Sequence, residues 1–245
     1  MRIFSWLATY LFVIALPVFI VTASVRFLVN EDRVASYGFR ENAVSTTMDL
    51  PVSELEKVSR KITDYFNDNS EFIQVDIVLD GKQTAFFGEV EVVHLRDVKA
   101  LLGIIFRLSE ISLAVVLTYI GTAIFIHPKR RLIDLTREIA LSIGVSSIFL
   151  LAVLGYVLFD FDSAWTQFHE IVFTNDFWLL NPATDRLIQM YPEKFWETAT
   201  LVCVILIGGQ MLLVGGSSAF YFGFKKGWLI NLHKRTRHHR HSHRH

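Results

Sequence analysis

Four long apolar runs decide what this chain can fold into. Residues 3–25, 101–126, 139–159 and 198–224 are each long enough, at about 1.5 Å per helical residue, to cross a hydrocarbon layer about 30 Å thick. Inside such a layer a backbone can satisfy its own polar groups only as a helix or a closed barrel, and runs of this length specify helices. The expected fold class is an α-helical polytopic membrane protein with four transmembrane helices. A small extracytoplasmic α+β domain is expected over 26–100, between spans one and two, and an interfacial loop over 160–197, between spans three and four. With 52% of 245 residues hydrophobic, a soluble enzyme is excluded.

Charge then orients the spans. Lys129, Arg130, Arg131 and Arg137 crowd the 127–138 connection, and Lys225, Lys226, Lys234, Arg235 and Arg237 follow the last span. Basic residues beside spans stay cytoplasmic, so both termini and the 127–138 loop are expected inside, and 26–100 and 160–197 outside. Formal net charge is +0, so the basic residues report topology and imply no nucleic-acid partner. The first run is expected to stay as an anchor, although Arg2 and the small residues Thr22, Ala23 and Ser24 also suit a cleaved signal. Cys203, the single cysteine, falls inside an apolar run, which leaves no internal disulfide and no lipobox. Residues 225–245 end in HHRHSHRH, whose alternating arginines repel cations; a disordered basic tail is expected there rather than a metal site.

The polar segment between spans one and two carries local signals. Ser53 and Glu56 have capping-box spacing, and Leu55, Val58, Ile62, Tyr65 and Phe66 recur at helical intervals, which predicts a helix over 53–66. FIQVDIVLD is rich in β-branched residues, and Asp80-Gly81 suits a two-residue turn into KQTAFF, so a hairpin follows. Arg107 and Glu110 stand three apart near the start of span two. Their burial unpaired would cost several kcal/mol, so they are expected to face the bundle interior or a wet pocket. In span four, Gly215, Ala219 and Gly223 recur every four residues and would let another helix approach closely.

The chemistry-bearing stretch is FHEIVFTNDFWLLNPATDRLIQMYPEKFW, residues 168–196. A helix begun at Ser163 puts Trp165, Phe168, His169, Val172 and Phe173 on one face, so an imidazole sits among apolar rings at the lipid boundary. Trp178, Tyr191, Phe195 and Trp196 follow, rings that favour headgroup level. Of three histidines near the membrane outside the tail, His94 and His169 fall on the outer side and His127 on the other, about 40 Å away across span two. Neither outer histidine has a serine or cysteine nucleophile beside it. Imidazole acid–base chemistry is the simplest catalysis available to such a pair, and it demands no metal or cofactor. Asp97 could orient His94 if the segment is helical, and Glu89 or Glu91 if it is extended.

FFGEVEVVHLRDVKALL, together with the 168–196 segment, resembles the bacterial Lit family of lipoprotein intramolecular transacylases. The likeness takes in the four-span layout, the H-x-x-D-V-K segment and the F-x-N-D-x-W-x-L-x-P-x-T-D segment. It implies an enzyme whose partners are membrane lipids and a diacylated lipoprotein in the bilayer, one glycerol acyl chain moving to the α-amine of the N-terminal cysteine. The family's two outer histidines correspond to His94, expected as the base, and His169, expected at the ester oxygen. An intramolecular transfer needs no acyl-enzyme, and Asn175, Trp178 or Arg107 could serve the oxyanion. The competing expectation is a non-catalytic membrane module that binds lipid or a partner protein on its outer face.

Overall fold

The computed structural model describes the backbone of residues 2–79, 81–126 and 128–242 and the side chains of 6–78, 81–125 and 132–225. The first long helix, α1 (Arg2–Val29), carries Pro17 without ending. Three shorter helices follow: α2 (Asp32–Glu41), α3 (Val44–Met48) and α4 (Val52–Asn67). A hairpin of β1 (Asp76–Leu79) and β2 (Lys82–Ala85) leads into α5 (Glu89–Ile126). Then come α6 (Pro128–Phe159), α7 (Phe161–Val172), α8 (Arg186–Met190) and α9 (Glu193–Ser242).

Among the described residues four stretches are long and apolar enough to cross a membrane: Trp6–Val29, Glu89–Phe125, Leu132–Phe159 and Glu193–Lys225. These contain most of the expected runs, but the helices do not stop where the apolar runs do. At about 1.5 Å per residue the 38 residues of α5 reach some 57 Å, well beyond a 30 Å hydrocarbon core. The expected loop over 127–138 is helical from Pro128, a residue well suited to the first helical position; His127 itself lies outside the described residues. Likewise α9 continues as helix into the basic segment, where a disordered tail was expected; its side chains beyond Lys225 are not among those described.

The chain forms two compact units. One comprises Met1–Ile20, Glu110–Leu150 and Ile207–His245. Its core is Phe12, Leu16, Tyr119, Ala123, Ile143 and Met211, with Phe12 and Tyr119 stacked at 4.4 Å. Tyr119 Oη donates to Glu138 Oε2 at 2.8 Å and lies 2.8 Å from Thr9 Oγ1, which joins α1, α5 and α6 through polar groups. A Cβ on Gly215 would meet Ile143 Cγ2 at 2.7 Å, so this glycine does admit a neighbouring helix, whereas among the described residues nothing stands within 4 Å of a Cβ placed on Gly223.

The other unit comprises Val21–Ser109 and Leu151–Leu206. Leu55, Val58, Ile62 and Tyr65 of α4 are buried, as their spacing predicts, with Phe66 packed against the same core. The capping box does not form. Pro51, with φ −59° and ψ 144°, occupies the N-cap and fixes the helix start one residue early, so Ser53 is already inside the first turn. The hairpin is shorter than its β-rich sequence suggests. Its register pairs Leu79 with Lys82, and Gly81 holds φ 75°, the left-handed conformation that a two-residue turn needs. Phe86 and Phe87 then turn into the core beside Phe39, Val44 and Leu95. Leu187 and Met190 of α8 complete that core, so the 160–197 segment is a structural part of this unit as well as a covering loop.

Candidate active site

The segment between the hairpin and the second apolar run is helical, which settles the two alternatives left open by its sequence. Glu91, in the first turn of α5, accepts the Gly88 N–H at 2.7 Å and so ties down one of the donors a helix start leaves unpaired. His94 stands one turn later, 8% exposed. Its Nδ1 is a buried polar atom with no hydrogen-bond partner.

Asp160 caps α7, accepting the Ser163 N–H at 3.1 Å and the Ser163 hydroxyl at 2.7 Å. The helix therefore begins at Phe161, two residues before the expected Ser163, and the predicted face survives. His169 is buried on it, 6% exposed. The chain leaves the helix at Phe173, whose extended backbone brings its ring against both imidazoles, 5.3 Å from His94 and 5.6 Å from His169. Trp165, Phe168 and Trp178 stand 4.6, 5.1 and 5.0 Å from His169, and Trp196 stacks on Trp165 at 5.0 Å.

The imidazoles of His94 and His169 meet within this enclosure at 6.1 Å between ring centroids. His169 Nδ1 lies 2.7 Å from the Trp165 carbonyl oxygen. A carbonyl only accepts, so Nδ1 carries the proton and the lone pair of the neutral ring is on Nε2. Burial among aromatic rings holds the His169 pKa below its ordinary value of about 6.5, an effect the Trp165 bond partly opposes. The ring is therefore neutral at neutral pH, with one nitrogen ready to accept a proton.

The remaining sequence candidates fall on both sides of the pair. Trp178 packs on His169. Asn175 donates Nδ2–H to Asp97 Oδ2 at 2.8 Å, and its own Oδ1 accepts the Phe177 N–H at 3.1 Å. Asp97 thus holds Asn175 and makes no direct hydrogen bond to His94, although both sit on one helix. Nor does Glu91 orient the ring: its two carboxylate oxygens are taken by Gly88 N–H and by Leu187 N–H, the latter at 2.6 Å. Arg107 is thirteen residues beyond His94 on α5, about 20 Å along the axis, and exposed. It stands apart from the pair because the helix carries it away, and Glu110 is likewise exposed. The Trp165 carbonyl, which fixes the tautomer, had no sequence signal of its own beyond the four-residue spacing to His169.

The sequence profile of the family described as lipoprotein intramolecular transacylase Lit matches residues 10–196, most of the chain. The chain belongs to that family. A structure of the membrane integral lipoprotein intramolecular transacylase Lit from Bacillus cereus superposes with a TM-score of 0.74 at 19% identity, covering 93% of this chain and 100% of that one. A variant of the same protein with a histidine replaced by arginine gives 0.67, also at 19% identity, covering 91% and 93%. At that identity the likeness speaks for the fold alone. An uncharacterised protein of Aquifex aeolicus is 30% identical over 121 residues, 49% of this chain and 50% of its own length, so the chain spans half of that relative. With four apolar helices and this membrane-integral fold, the Lit-family chain is a multi-pass membrane protein.

Proposed function

We propose that this protein moves a glycerol-linked acyl chain of a diacylglyceryl lipoprotein onto the α-amine of the N-terminal cysteine, giving a lyso-form lipoprotein. The observation that carries this reading is the His94–His169 pair, 6.1 Å apart and walled by aromatic rings. The reaction consumes an amine N–H and an ester and yields an amide and a glycerol hydroxyl. One proton must leave nitrogen, and one must reach the departing oxygen.

His169 suits the first task, because its Nδ1–H is held by Trp165 and its Nε2 is free to take the amine proton as the N–C bond forms. The Trp165 carbonyl then faces an imidazolium and helps to stabilise it. Neutral His94 has one ring N–H, which donates to the ester oxygens as charge develops, and the proton gained from nitrogen is passed on to the glycerol oxygen as the C–O bond breaks. This assignment reverses the order expected from sequence, and the tautomer of His169 is the reason. Amine and ester belong to one substrate molecule, so holding them together replaces a bimolecular encounter. The aromatic walls suit acyl chains and exclude water, which would otherwise hydrolyse the ester.

The site then lies at the outer face of the cytoplasmic membrane, with both termini on the cytoplasmic side, a reading supported by the basic residues after spans two and four. The test is to give the protein, reconstituted in vesicles, a synthetic diacylglyceryl-cysteine peptide with a free or an acetylated α-amine. The account requires an acyl shift at constant mass in the free peptide and no change in the acetylated one. Free fatty acid released from both would indicate a hydrolase instead.

A further inference from the structure

Glu91 and Asp97 are each three residues from His94 on α5, one turn before it and one turn after. Neither bonds to the ring, and each holds the other wall of the site. Asp97, 20% exposed, accepts Asn175 Nδ2–H at 2.8 Å. Glu91, 4% exposed, accepts the Leu187 N–H at 2.6 Å. Between these two fastenings runs a strap of turns, residues 176–186, and within it Trp178 packs on His169 while Phe177 and Leu179 on either side are exposed. The strap has little regular structure of its own. Asn181 N–H to Asp185 and Gln189 to the Pro182 carbonyl are bonds within it or to the adjacent α8.

We infer that Glu91 and Asp97 are positioning residues: they pin both ends of the 176–186 strap to the helix that carries His94, and so fix Trp178 over His169 and the placing of the His169 ring opposite His94. The physical basis is that a charge-assisted hydrogen bond is about twice as strong as a neutral one, and that two such anchors leave a short loop few ways to move. A displacement of about 1 Å between reacting groups can cost about a hundredfold in rate, so a pinned strap acts on catalysis without touching the reacting atoms. This inference rests on the geometry of the strap and holds for any chemistry at the pair.

The test exploits the direction of the Asp97–Asn175 bond. Asn175→Asp sets two carboxylates against each other and breaks the fastening; adding Asp97→Asn restores it with donor and acceptor exchanged. The full-length protein in vesicles is examined as wild type, Asn175→Asp, and the double variant D97N/N175D. Two quantities are measured: amide hydrogen exchange over 176–186, and kcat and KM for acyl transfer on a diacylglyceryl-cysteine peptide. In Asn175→Asp, exchange in the strap should rise about tenfold or more and kcat should fall about tenfold or more with a smaller change in KM, and the double variant should recover most of both. Glu91→Gln, which keeps only one acceptor oxygen, should loosen the α8 end of the strap in the same way. Unchanged exchange in Asn175→Asp, or a double variant no better than the single one, overturns the inference. The second outcome would mean that the charge at 97 matters in its own right. Exchange reads the strap even if no acyl transfer is found, so failure of the transacylase reading and failure of this inference are separable.

Discussion

His94 and His169 lie 75 positions apart in the chain, and their rings meet at 6.1 Å because α5 begins twelve residues before the expected second span and α7 folds back on it. Phe173 touches both imidazoles, so the pair and its aromatic wall form one packed object.

The buried imidazole sets a pH dependence of stability. His169 has its pKa lowered on folding, so the unfolded chain binds more protons than the folded one at mildly acid pH, and the slope of stability with pH is positive there. Its contribution is present above the unfolded value of about 6.5 and is lost as pH falls toward the folded one. Thermal unfolding followed from pH 7.5 down to about 5 should show a falling Tm, and His169→Gln should flatten that fall. Equal slopes in the two proteins would argue that the ring is not held neutral by burial.

Gly38 is a position where α2 meets the start of α9 with no room for a side chain. A Cβ there would run into the Phe195 ring. Ala is the better helix former, yet overpacking at this contact should make Gly38→Ala less stable by about 1–3 kcal/mol. Combining it with Phe195→Leu should recover part of the loss in a thermal or denaturant unfolding assay.

Met190 tests whether the 160–197 segment belongs to the core. Its side chain is 0% exposed among Phe39, Val44, Leu55 and the other core residues. Truncation to Ala should cost about 2–5 kcal/mol, and the loss should appear as global destabilisation of the hairpin-bearing unit rather than local loosening. A cost near zero would mean the loop merely lies on the surface.

Much of this was legible in the residues. The four apolar runs specified the spans because membrane helices obey a length rule, and the α4 face emerged from spacing that only a helix buries on one side. The two histidines were legible because each stands just outside an apolar run. What sequence could not provide were helix ends decided by a neighbour: Pro51 displaced the Ser53 cap, Asp160 moved the start of α7, and α5 began at Glu89 although its apolar run starts later. The hydrogen-bond partners of Glu91 and Asp97 were hidden for a related reason. These partners, Leu187 N–H and Asn175, are 96 and 78 residues away, and no local pattern encodes such a distance. The family resemblance, read on the H-x-x-D-V-K and F-x-N-D-x-W segments, is matched by the profile over 10–196.

The most direct test of the central claim is the mass spectrum of the N-terminal lipopeptide from a diacyl lipoprotein made with this protein, with His94→Ala, or with His169→Ala at matched membrane levels. Loss of a positioned acid or base costs about a hundred- to ten-thousandfold in rate. The account predicts an acyl chain on the α-amine at unchanged total lipid mass with the native protein, and a free amine with both variants. Acyl transfer that persists in either variant, or a free amine with all three proteins, would contradict it.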